Sequence, residues 1–272
     1  MILGVENRGG GRAAVGEAAA AYLPEAGLRR HHLALGVQRI VGWLLAPIWV
    51  PGVVVLMRWG LGWRLEGVEA VRRKYRTLWS DGEGPVLVCA NHLTLVDSAL
   101  VAWALGSPTW YLAHYAAVPW NVPERRNFAQ SVWSRVLVYV MKCVPVTRGG
   151  DRAEVAAVLG RLVHLLSRGE ALLLFPEGGR SRSGRVEEES VTYGVGRLLA
   201  GVPECRVLCV YVRGAHQDGF SDLPRRGERF HVRCAAVRPI SLETGLRRAR
   251  DVSRQIIRTL ARLEERHFDD RQ

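Results

Sequence analysis

The hydrophobic pattern changes character near residue 64. Residues 1–28 are polar and rich in glycine, alanine and arginine, with no apolar core of the kind a secretory signal carries, so they are expected to form a mobile tail. Residues 29–63 hold a long apolar stretch in which positions 40–57 carry no charge. That length approaches the ~20 residues a helix needs to cross a bilayer. Pro47 and Pro51 interrupt it, and Gly42 and Gly52 loosen it further. Trp43 and Trp49 lie within the stretch, Trp59 and Trp63 follow beside Arg58 and Arg64, and Arg29, Arg30 and Arg39 flank its other end. Positive charge on both flanks disfavours a one-way crossing. The pattern therefore predicts a broken helical hairpin that dips into one leaflet with both ends cytoplasmic, ahead of a buried helix pair or a single span.

From residue 64 to residue 272 the pattern is that of one α/β domain. Short apolar runs at 85–90, 171–175 and 207–212 read as buried strands, residues 109–113 and 144–147 as two further strands, and 231–236 as an edge or flanking strand. Residues 94–105 read as a helix with Thr94 as N-cap, Asp97 three residues later and Gly106 at the stop. Residues 151–167 place Val155, Val158, Leu159, Leu162 and Leu165 on one stripe, and 246–268 form a charged amphipathic helix. Strands alternating with helices predict a mainly parallel or mixed sheet flanked by helices.

Composition narrows the partners. The 272 residues are 48% hydrophobic and carry a net charge of +12, which points to an anionic partner. Nucleic acid is not expected, because the basic residues are scattered and no known binding module is present. The five cysteines form no CxxC pair, so reduced, mostly buried thiols are expected and no metal site. Residues 110–142 mix Trp110, Tyr111, Tyr115, Trp120, Phe128, Trp133 and Tyr139 with Arg125, Arg126 and Arg135. Two readings stay open for this stretch: a membrane interface or lipid-lined groove, and core aromatics with a solvated basic face.

Two short motifs follow predicted strands. The first is Asn91-His92-Leu93-Thr94-Leu95-Val96-Asp97-Ser98, the second Phe175-Pro176-Glu177-Gly178-Gly179-Arg180-Ser181. A histidine is a natural general base near neutral pH, best when a carboxylate fixes its other ring nitrogen. On one continuous helix His92 and Asp97 would diverge by about 140°. They can meet only if His92 lies in the turn before the helix and Asp97 in its first turn. Gly178 and Gly179 let backbone N–H groups face a ligand, and Arg180, Arg182 and Arg185 add cations for an anionic group.

Asn91-His92 with Asp97 resembles the NHxxxxD motif of the glycerolipid (lysophosphatidate-type) acyltransferase superfamily. Residues 175–181 resemble its FPEGTRS block, and Val144-Pro145-Val146-Thr147-Arg148-Gly149 is similar to the block between them. The resemblance spans about residues 65–240. It implies that His92 deprotonates an acceptor hydroxyl, that Asp97 orients His92, and that Arg148, Glu177, Gly178, Gly179 and Arg180 bind the acceptor, Arg148 by its phosphate; Asn91 either joins the acceptor-binding residues or bonds backbone and holds the turn. It also implies acyl-CoA or acyl carrier protein as acyl donor, no cofactor and no metal, and a lysophospholipid acceptor at the cytoplasmic face of a membrane. Gly179 stands where the family has threonine, and Cys209 where proline is common, which leaves a lyso-ornithine lipid or a glycolipid as alternative acceptors; a non-catalytic lipid-binding role is a separate alternative.

Overall fold

Valine-rich β2 (Val86–Ala90) is buried at every position, as a central strand covered on both faces must be. The computed structural model in which it lies describes residues 25–128, 131–147, 149–189 and 191–270. Six strands form one sheet in the order β1-β6-β5-β2-β4-β3, where β1 is Arg64–Glu66, β3 Trp120–Asn121, β4 Leu172–Leu174, β5 Arg206–Gly214 and β6 Arg229–Val237. All neighbours are parallel except β5 and β6. The expected mixed sheet flanked by helices is therefore what forms.

Alternate residues of each strand feed two cores. Leu87, Cys89, Val207 and Cys209 pack with α6 (Arg152–Ser167), α7 (Gly194–Ala200) and α8 (Gly245–Asp269). Val86, Val88, Leu208 and Val210 pack with α2 (Val68–Ser80), α3 (Asp97–Leu105) and α4 (Pro108–Ala113). The cysteines are free thiols, four of them buried.

Several expectations give way to other elements. The expected strand over 109–113 is helix α4, begun by Ser107, whose Oγ accepts from the Trp110 N–H at 3.3 Å, with Pro108 in the first turn. Residues 144–147 form no strand: they contribute only the bridge Glu124↔Val146, next to Asn121↔Cys143, and β3 takes the edge of the sheet instead. The strand expected at an edge or flank, β6, lies inside the sheet between β1 and β5. Helix α3 begins at Asp97, not Thr94, and its N-cap residue Val96 offers no side-chain cap.

The largest correction concerns the apolar stretch. Of the tail expected over 1–28, residues 1–24 lie outside the described residues. Glu25–Val55 is a single helix, α1, which runs through Pro47 and Pro51 and ends in a π-turn at Leu56–Gly60. Among the described residues there is no hairpin. Each proline removes one ladder donor, yet Leu35, Ala46, Val50 and Met57 are buried along one stripe against the domain, and this packing carries the helix past both prolines. Gly42 permits the closest approach: a Cβ there would lie 2.5 Å from the Tyr115 hydroxyl and 2.7 Å from the Val140 carbonyl oxygen.

A buried ionic cluster ties α1 to the sheet. Glu170, just before β4, accepts from Lys142 Nζ at 2.6 Å, from Trp120 Nε1 at 2.9 Å and from Arg39 of α1. Lys142 is fully buried and also donates to the carbonyls of Val118 (2.6 Å) and Tyr115 (3.1 Å). Burial pulls its ammonium down to about 8, against the opposing pull of Glu170. Removing one partner of such a pair strands the other charge. Glu170→Ala is expected to lower stability by about 3–5 kcal/mol in chemical denaturation; a loss below ~1 kcal/mol, the level of an exposed pair, would contradict the cluster's role.

Candidate active site

β2 and β4 run parallel with Cys89 opposite Leu174, so the turns that follow them emerge at one edge of the sheet. This brings the two motifs together. The His92 backbone N–H donates to Glu177 Oε1 at 3.1 Å, and the Ser181 N–H donates to the His92 carbonyl at 2.8 Å.

Asp97 organises the first turn. Its Oδ2 lies 3.0 Å from His92 Nδ1 and accepts from the backbone N–H groups of Leu93 (2.5 Å) and Thr94 (2.7 Å). Its Oδ1 accepts from the Thr94 hydroxyl at 2.5 Å. Both oxygens of Asp97 are engaged as acceptors, and an acceptor facing Nδ1 assigns the imidazole proton to that nitrogen. Nε2 is then the nitrogen left to act as base. His92 also stacks on Phe175, with ring centroids 4.1 Å apart and planes 17° from parallel. The expected meeting of His92 and Asp97 occurs, with only part of the expected capping box: the Thr94 N–H and hydroxyl both donate to Asp97, while Thr94 Oγ1 accepts the Val96 N–H at 3.3 Å and the helix itself starts at Asp97.

The other expected residues divide. Asn91 is buried, and its amide donates to the Val212 carbonyl (3.0 Å) and accepts the Val212 N–H (2.8 Å). It pins the turn to β5 rather than facing the cavity. Glu177 is 9% exposed, and burial pushes its carboxyl up from 4.5 to about 8; the His92 N–H opposes this, and the charges of Glu264, Glu187 and Asp97 add to it. Near pH 7 it is a protonated acid, able to donate a hydrogen bond. Gly178 has φ +70°, and a Cβ there would sit 2.2 Å from Thr192 Cγ2, so only glycine fits. Gly179 follows it in the same turn. Arg180 Nη1 is paired with Asp222 at 2.6 Å, donates to the Ser221 carbonyl at 3.2 Å and lies over the Phe220 ring. Arg148 lies outside the described residues. Thr94, Phe175 and Asp222 were not foreseen as site residues; the first two sit inside the motifs, but nothing local marks Asp222.

Two cavities meet at this turn. One, of about 290 Å³, is lined by His92, Phe175 and Gly178 and, deeper, by Val155, Val158, Leu159, Leu162 and Leu174. The other, of about 370 Å³, is almost wholly apolar and is walled by Trp49, Val50, Val53 and Met57 of the α1 region and Ala99, Ala102 and Trp103 of α3. Leu95, Ser98, Asn121 and Pro123 line both. A base with an oriented ring thus stands beside space suited to hydrocarbon chains.

The Glu177 shift has a sign that can be tested. Between pH 4.5 and about 8 the folded chain holds a proton that the unfolded chain has released, so stability falls as pH rises through this window. Glu177→Gln is expected to flatten that slope in melts taken from pH 5 to 8; an unchanged slope would contradict a protonated Glu177. For Asp97→Asn, kcat is expected to drop on the order of 10³–10⁴-fold, as when a base loses its orienting carboxylate. If the variant kept kcat and lost only thermal stability, Asp97 would be a structural residue alone.

The sequence model of the family described as acyltransferase matches residues 63–212 of the chain. No curated protein matches it. That matched span covers both motif turns and the strands that carry them, and the chain belongs to the acyltransferase family, within the glycerolipid acyltransferase superfamily.

Proposed function

We propose that this acyltransferase is membrane-associated and moves a fatty acyl group from acyl-CoA or acyl carrier protein to the hydroxyl of a lysophospholipid, 1-acylglycerol-3-phosphate, giving phosphatidic acid. The observation that carries the reading is the His92–Asp97 pair, with Nδ1 held at 3.0 Å and the ring on the wall of a cavity. In this reading His92 Nε2 takes the hydroxyl proton as the acceptor oxygen attacks the thioester carbonyl. The tetrahedral intermediate collapses, the C–S bond breaks, and the imidazolium returns its proton to the leaving thiolate. Asp97 holds the ring in place and stabilises the imidazolium. No cofactor or metal takes part. Protonated Glu177 binds an acceptor oxygen, and Arg148, with Gly178, Gly179 and Arg180, receives the phosphate.

Residues Arg30–Gly60 form a helical stretch long and apolar enough to cross a membrane, with a mean hydropathy of 2.2 over its most apolar window, of which 22% is buried in the protein. Because α1 packs on the domain from Leu35 to Val50, we read it as an anchor lying in the plane of the cytoplasmic leaflet, its outer face towards lipid. One observation favours a second acceptor class, a lyso-ornithine lipid or glycolipid without the phosphate: Arg180 already spends its charge on Asp222.

The test is release of free thiol from palmitoyl- and oleoyl-thioesters by the detergent-purified chain, with lysophosphatidic acid, neutral lysolipids and lyso-aminolipids as acceptors. Turnover on lysophosphatidic acid at least tenfold above the others is the expected result. Turnover confined to an uncharged acceptor would move the substrate, and none on any acceptor would overturn the reading.

A further inference from the structure

The aromatic and arginine-rich segment ending at Lys142 carries none of the residues assigned above to proton transfer or phosphate binding. Part of it forms the helix α5 (Val132–Val140), on which no residue is buried. Val132, Trp133, Val136 and Leu137 are 71%, 79%, 46% and 56% exposed. Exposure of this kind on four apolar residues in two turns is costly in water. Helix α5 packs beside α1, whose Trp43, Leu44 and Ile48 are also exposed, so both of these neighbouring helices present apolar side chains outward. Gln38 of α1 fastens them, donating to the carbonyls of Tyr139 (3.0 Å) and Cys143 (2.9 Å).

At this joint lies a cleft of about 350 Å³ lined by Gln38, Arg125, Arg135, Val138, Tyr139, Cys143 and Pro145. Arg135 makes no ion pair among the described residues, and Arg125 reaches only Glu154, at 3.8 Å. The charge of the two segments is one-signed: residues 30–65 and 125–150 contain no aspartate or glutamate. An apolar face bordered by arginines, with Glu154 beside Arg125, is complementary to an anionic bilayer, whose chains it meets with Trp133 and whose phosphates it meets with arginine. A protein partner would leave the arginines to be matched by acids; a bilayer satisfies both halves of the face at once.

We propose that α5 is a second membrane-seating element, and that the cleft between α1 and α5 takes the phosphate of an anionic phospholipid headgroup through Arg125 and Arg135. The proposal deepens the membrane part of the function above and does not depend on the reaction. It has a consequence for substrate entry. Leu137 and Val138 also line the apolar cavity of about 370 Å³, so a lipid seated at the cleft has its chains beside that cavity's wall.

The experiment uses the full chain with Trp133→Cys carrying a polarity-sensitive dye; of the native cysteines four are buried, and the unlabelled-site control is the same chain with Trp133 intact. It is mixed with vesicles of phosphatidylcholine alone or with phosphatidylglycerol, and no turnover enters the readout, so a failed acyl-transfer reading would leave this result standing. The dye is expected to shift to the blue on both vesicles, with half-saturation on the order of tenfold lower in lipid on the anionic ones. Arg125→Gln with Arg135→Gln should remove that preference while the chain still binds through α1. Inorganic phosphate at matched ionic strength should leave the dye unchanged. Four results would overturn the proposal: equal binding to both vesicles, bound protein whose dye stays in water, a preference that survives the double substitution, or loss of the preference to millimolar phosphate, which would make the cleft a site for a soluble anion. A dye shift that grows with protein concentration in the absence of lipid would assign the face to a second copy and would also overturn it.

Discussion

The in-register parallel pairing of β2 with β4 is the constraint on which the site depends. Cys89 lies opposite Leu174, so the chain leaves both strands at the same level of the sheet. Two turns far apart in sequence then share hydrogen bonds, His92 with Glu177 and with Ser181. A slip of one residue would turn every side chain of β2 to the opposite face, and the buried positions of both cores forbid it. Ligands of open α/β sheets gather at the carboxyl ends of strands for this reason, and the cavity beside His92 lies there.

Within that frame the electrostatics divide the carboxyl groups by role. Asp97 is held by four donors and fixes the imidazole. Glu177, buried with one backbone donor, is driven towards its neutral form. Two carboxyl groups on adjacent turns therefore offer opposite chemistry, one stabilising positive charge on His92 and one able to donate to an acceptor oxygen. A third, Glu170, has no part in the chemistry; with Lys142, Trp120 and Arg39 it fixes α1 against the sheet. The wall of the apolar cavity that α1 supplies depends on this fastening.

The family and the sheet were legible because both are local. Strands β2 and β4 are short all-apolar runs, β5 contains another at 207–212, and the His92, Asp97 and Glu177 positions lie within two motifs. What sequence reading missed turned on packing or distance. Two prolines argue for a break in α1, yet burial of Leu35, Ala46 and Val50 against the domain outweighs two missing donors. Strand β3 has two residues, too few to show a period. Residues 109–113 were open to correct reading, since Ser107-Pro108 is a helix-start pair. Asp222 could not be found from sequence: it reaches Arg180 only because the segment after β5 folds back over the His92 turn, where the Ser221 N–H donates to the Leu93 carbonyl at 3.0 Å.

The central claim is that His92 is the base. Its most direct test is thiol release from an acyl thioester in the presence of acceptor by His92→Ala, set against the unaltered chain at equal folded concentration. The account predicts that turnover falls to background while the melting temperature and the far-ultraviolet dichroism stay within error of the parent. Near-normal turnover in the folded variant would contradict it.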